Sequence, residues 1–204
     1  MDDTLTVNKR SFGAAIGLGA ILTLAVQTGV DVASGDGLLQ SIWSQARYFT
    51  NLMVFTVGIF FCSSLLGKRQ DRPGWASAIT VWILLVGVVY HVLLSAAHHP
   101  EGLDVGVNLM QHTILPLAVL GFWMRYVAKD GLRMNLPLIW LACPLIYVAY
   151  ALLRGQFDQT YPYFFLNPDK IGWPGVAAYV VGLGALFYVS GALLVLSARR
   201  FRLA

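Results

Sequence analysis

Apolar residues gather along this chain into six long runs, near 11–30, 46–67, 75–97, 104–128, 134–153 and 173–197. A helix rising 1.5 Å per residue needs about 20 residues to cross a hydrocarbon layer of ~30 Å. Each run therefore predicts one membrane-spanning helix. The joining loops are short and leave nothing to build a soluble domain. The pattern predicts an all-α membrane protein, a bundle of six transmembrane helices forming a single transmembrane domain over 1–204.

Composition agrees. Of 204 residues, 57% are hydrophobic and 12% charged, far from the make-up of a water-soluble domain. Charge placement then orients the bundle. Lys9 and Arg10, Lys68, Arg69 and Arg72, Arg125, Lys129 and Arg133, and Arg199, Arg200 and Arg202 make eleven of the fourteen basic residues, all on one side of the predicted spans. Only Arg47, Arg154 and Lys170 fall on the other side. The positive-inside bias places both termini in the cytoplasm. The first run also has the flanks of a signal peptide, with Lys9 and Arg10 before it and "VASG" after, but it is too long for an h-region and reads as a retained span.

The net charge of +4 suits contact with anionic headgroups. No basic patch is interleaved with exposed aromatics, so nucleic acid is not an expected partner. Cys62 and Cys143 fall inside spans as packing residues and offer neither a disulfide nor a metal framework. No cofactor or metal is expected.

With orientation assigned, polar residues sort to the outer half of the bilayer. Span two opens with Arg47, Thr50 and Asn51 at i, i+3, i+4 spacing, which puts them on one helical face. Asn108 and His112 share a face of span four, and His91, Ser95 and His98 a face of span three. Thr23, Gln27 and Asp31 line span one, and Tyr147, Tyr150 and Arg154 line span five. Ionisable groups in a bilayer normally face the bundle interior or a water-filled cavity. These stripes predict one outward-opening pocket. Pro116 lacks the N–H that would pair with the His112 carbonyl, which predicts a distortion beside that histidine.

Three chemistries compete for these residues. Thr50 is a nucleophile if a histidine takes its proton, or else bonds the carbonyl of Ala46 one turn back. His112 is that base, or an interhelical hydrogen-bonding residue. His91 and His112 are alternatively axial ligands of a single haem. Zinc-peptidase and phosphate-loop signatures are missing from the sequence.

The stretches "RYFTN", "NLMQHTILP" and "TYPYFFLNPDKIGWPG", in that order, resemble the androgen-induced (FAR-17a-like) family and its bacterial Pr6Pr relatives. The resemblance runs from about residue 40 to 197. It implies a threonine hydrolase of lipid esters, such as fatty acid esters of hydroxy fatty acids, in a bacterial cytoplasmic membrane. By position it implies Thr50 as nucleophile and His112 as base. Mammalian members carry a second histidine shortly before the catalytic one, where this chain has Asn108 and Gln111. Arg47, Asn51, Asn108 and His91 are then the candidate oxyanion or substrate contacts, with Arg47 also suited to a fatty-acid carboxylate or to interface anchoring. The loop with Tyr161, Pro162, Tyr163 and Trp173 reads as a lid or as an aromatic belt. The alternative is a non-catalytic lipid- or haem-binding bundle.

Overall fold

The structure is a computed structural model and describes residues 3–63 and 72–200. The described residues form helices and turns, without a strand. In chain order the helices are α1 (Asp3–Ala33), α2 (Leu38–Gln45), α3 (Phe49–Cys62), α4 (Pro73–Val89), α5 (Leu103–Leu109), α6 (Leu115–Tyr126), α7 (Leu136–Trp140), α8 (Ala142–Asp158) and α9 (Pro168–Arg200). A π turn, Tyr90–Leu94, and a 3-10 turn, Ser95–Ala97, prolong α4. A second π turn, Met110–Ile114, joins α5 to α6.

Five continuous helical segments are long and apolar enough to cross a membrane: Val7–Ala33, Pro73–Ala97, Leu103–Tyr126, Leu136–Asp158 and Pro168–Arg199. They match five of the six apolar runs, so the chain is a multi-pass membrane protein by length and composition. The sixth run is represented by the shorter apolar helix Phe49–Cys62; its predicted end at 64–67, together with Lys68 and Arg69, lies outside the described residues.

By contacts the chain divides into two compact units, Met1–Asp130 and Gly131–Ala204. In the first, α1 packs along α3, and α4 packs between α3 and α6. Small residues set these approaches, as is usual where helices meet in lipid. A Cβ on Gly17 would lie 2.8 Å from the Cys62 backbone nitrogen. The face of α4 from Ala76 to Ile83 is buried throughout, and Trp123 Nε1 donates to Ser77 Oγ at 2.8 Å, tying α6 to it. Pro73 starts α4 at a position where its missing N–H costs nothing.

Two local expectations need correction here. The chain between the first two spans folds into a helix of its own, α2, and Tyr48 then adopts an extended backbone (φ −93°, ψ 130°) before α3 begins. Arg47 therefore precedes α3 in a turn, and does not share a helical face with Thr50 and Asn51. Likewise His98 lies beyond the last 3-10 turn in extended backbone (φ −115°, ψ 114°), so it leaves the face of His91 and Ser95.

In the second unit, α7 and α8 are separated at Leu141. Pro144 lacks the N–H that would reach the Trp140 carbonyl, which accounts for the break. Gly172 (φ 69°, ψ 163°) interrupts α9, and Pro174 begins its long remainder. The rings of Tyr163 and Phe165 stack at 5.0 Å and those of Phe165 and Tyr179 at 5.7 Å, so the last loop is packed against its own helix. Trp173 is exposed, as a belt residue is. Arg154 is buried, donates from Nη1 to the Tyr150 hydroxyl at 2.8 Å and lies 3.5 Å from the Asp158 carboxylate.

Candidate active site

The polar residues of the first unit gather in two connected groups at one end of its helices. The first is centred on Tyr90. Asn108 Nδ2 donates to the Tyr90 hydroxyl at 2.8 Å and to His98 Nδ1 at 3.0 Å, and that hydroxyl lies 3.2 Å from the same His98 nitrogen. An amide nitrogen only donates, so His98 Nδ1 carries a lone pair here. Both hydrogens of the Asn108 amide are thereby engaged within the cluster.

His112 lies flat on Tyr90, with ring centroids 3.8 Å apart and planes 17° from parallel. Its Nδ1 is 3.1 Å from the Asn108 carbonyl oxygen. A carbonyl only accepts, so Nδ1 holds the proton and Nε2 carries the lone pair of the neutral ring. His91 stands edge-on to Tyr90 at 5.2 Å, and its Nε2 is 3.0 Å from Thr113 Oγ1. With Tyr90 packed against both rings and His91 Nε2 engaged by Thr113, the pair does not fit a haem held between them.

Both histidines sit in π turns, which recur at functional sites. Pro116 gives a reason for the second one: it leaves the His112 carbonyl without its α-helical donor, as the sequence predicts. That carbonyl instead faces Gly87, where an added Cβ would lie 2.7 Å from it. Only a glycine lets α4 come so near.

The second group runs across four helical segments. Gln111 Nε2 donates to Asn51 Oδ1 at 3.0 Å, and Asn51 Nδ2 donates to the Gln45 carbonyl at 3.2 Å. Gln45 Nε2 in turn donates to Thr28 Oγ1 at 3.1 Å and to Asp31 at 2.8 Å. Asn51 and Gln111 are the chain neighbours of Thr50 and His112, so this bond ties together the turns that carry both. Thr50 is half-buried in the first turn of α3. Among the described residues no hydrogen bond joins it directly to His112. Arg47 is buried, at 9% exposure.

The sequence thus located His112, His91, Asn108 and Asn51, which the structure brings into these groups. It missed Tyr90, Gln111, Gln45, Thr28 and Thr113. His98 is exposed, as its place beside a loop suggests, yet it is also bonded into the cluster. Comparison of the chain with family models, curated proteins and solved structures finds no match.

Proposed function

We propose that this protein is an intramembrane hydrolase of lipid esters, with Thr50 as nucleophile and His112 as base. The observation that carries the reading is the His112 ring. Its Nδ1 proton is committed to the Asn108 carbonyl, which leaves Nε2 to act as the proton acceptor. The Asn51–Gln111 bond supports it by fixing the turns of nucleophile and base to each other. The resemblance of "RYFTN" and "NLMQHTILP" to the androgen-induced family supplies the assignment of Thr50.

In the proposed reaction the Thr50 oxygen attacks the ester carbonyl carbon while His112 Nε2 takes the hydroxyl proton. The carbonyl electron pair moves to oxygen, and Arg47 with the remaining Asn51 N–H stabilises that oxyanion. Collapse breaks the ester bond, and the leaving alkoxide takes the proton from the imidazolium. Water then adds to the acyl-threonine with His112 again accepting a proton. The carboxylic acid leaves and the Thr50 hydroxyl is restored. In the proposed complex the Thr50–His112 hydrogen bond closes around the substrate, as catalytic bonds of this kind often do. The acyl chain lies among apolar helices.

Six spans with both termini cytoplasmic, and a site opening outward from a bacterial cytoplasmic membrane, complete the proposal. α3 serves as the sixth span. Hydrolysis of a panel of lipid esters by purified protein tests the activity; wild type should release fatty acid from at least one, and Thr50→Ala and His112→Ala from none.

A further inference from the structure

Hydroxyl–imidazole enzymes usually place a carboxylate behind the imidazole, to orient it and to stabilise the imidazolium that forms. Among the described residues no aspartate or glutamate is hydrogen-bonded or ion-paired to His112. Its Nδ1 proton goes to a neutral carbonyl, and its face lies on Tyr90 at 3.8 Å. A cation within about 6 Å of a ring centroid, over the face, is attracted by the ring quadrupole, and more strongly where water is excluded. Tyr90 is 7% exposed and His112 half-buried, so the Tyr90 side of the stack is shielded by the surrounding helices.

We propose that Tyr90 is the electrostatic positioning residue of the His112 base, its ring face stabilising the imidazolium formed when His112 takes the nucleophile's proton. The inference rests on the hydrolase reading above. No covalent step is added: the proton moves from the threonine hydroxyl to His112 Nε2, and Tyr90 acts only on the charge left behind. The surroundings make the choice of residue meaningful. His91 and His98 also approach the Tyr90 ring, edge-on, at 5.2 and 5.8 Å, and either would oppose a second positive charge if protonated. Of the three imidazoles His112 is the one stacked parallel on the ring, at 3.8 Å, in full contact with the face where the quadrupole is negative. The triangle of Tyr90 hydroxyl, Asn108 amide and His98 Nδ1 holds that face in place. The Asn108 backbone holds the imidazole against it.

The test is a series of full-length variants carrying phenylalanine, then mono-, di- and trifluorinated phenylalanine, at position 90. All lack the hydroxyl equally and keep the ring's shape, while fluorine progressively removes negative charge from its face. The expected result is a stepwise fall in kcat for ester hydrolysis, about tenfold across the series, with KM and melting temperature unchanged. Tyr90→Leu should fall at least as far as the trifluorinated variant. A flat kcat, or one that follows melting temperature and not fluorine count, overturns the role of Tyr90 and leaves the hydrolase reading intact. A wild-type protein that hydrolyses no ester overturns both.

Discussion

Gln111 and Asn51, sixty positions apart in sequence, meet in a 3.0 Å hydrogen bond between the second π turn and the first turn of α3. Gln111 is buried, so its amide has little access to any other partner. Gln111→Leu should destabilise the protein by about 1–3 kcal/mol, because it leaves the Asn51 carbonyl oxygen unpaired. Asn51→Leu should cost a similar amount. The double variant should be less destabilised than the sum of the two, by ~0.5–3 kcal/mol. Melting temperatures of the four proteins in one detergent provide the check, and strict additivity would show that the bond contributes nothing.

Gly87, in the helix that the Tyr90 turn prolongs, lies against the His112 carbonyl, where an added Cβ would be 2.7 Å from the oxygen. An alanine methyl there must push the π turn away, at a cost of ~1–3 kcal/mol. Activity should suffer more than stability, since a shift of ~1 Å in a catalytic group can lower rates by about 10²-fold. The measurement is kcat for ester hydrolysis alongside melting temperature. Wild-type kcat in Gly87→Ala would contradict the placement of His112 by this contact.

Much of this arrangement was legible in the sequence, and the remainder was not, for physical reasons. Hydropathy located the long helices because a bilayer admits few alternatives to an apolar helix about 20 residues long. Pro116 announced the distortion at His112, since the missing N–H is a local fact. By contrast, α2 presents Leu38, Leu39, Ile42 and Trp43 outward, and its apolar residues in the sequence merged into the loop before the second run. Its presence moved Arg47 off the face of α3. Tyr90 carries no polar spacing to mark it, and a tyrosine in an apolar run reads as packing. Gln111 and Gln45 are neutral, and only partners distant in sequence reveal what they do.

Lys129 closes the C-terminus of α6, where its Nζ donates to the carbonyls of Trp123 and Val127 and lies 4.0 Å from the Trp123 ring centroid. Burial brings this amine down to about 8, whereas lysine in an unfolded chain keeps its proton to about 10.4. Between those values the unfolded state binds more protons, so folding stability gains from this residue as pH rises, and below them the residue makes no pH-dependent contribution. The neutral amine keeps two N–H groups, enough for both carbonyls. The melting temperature of wild type relative to Lys129→Met should therefore climb from pH 8 to pH 10. A difference that stays constant, or falls, contradicts this.

The charge asymmetry predicts that the turn before α5 faces outward. Glu101→Cys, in a protein whose Cys62 and Cys143 have been replaced, should react with an impermeant maleimide on intact cells. Reaction only after permeabilisation would place the histidine cluster at the cytoplasmic surface and remove the outward site.

The central claim is that Thr50 is the nucleophile and His112 its base. The most direct measurement is labelling of the purified, folded protein with a fluorophosphonate, followed by mass spectrometry to locate the modified residue. A single adduct on the Thr50 hydroxyl, lost in Thr50→Ala and strongly slowed in His112→Ala, is the predicted result. An adduct on another hydroxyl, or undiminished labelling in Thr50→Ala, would contradict the account.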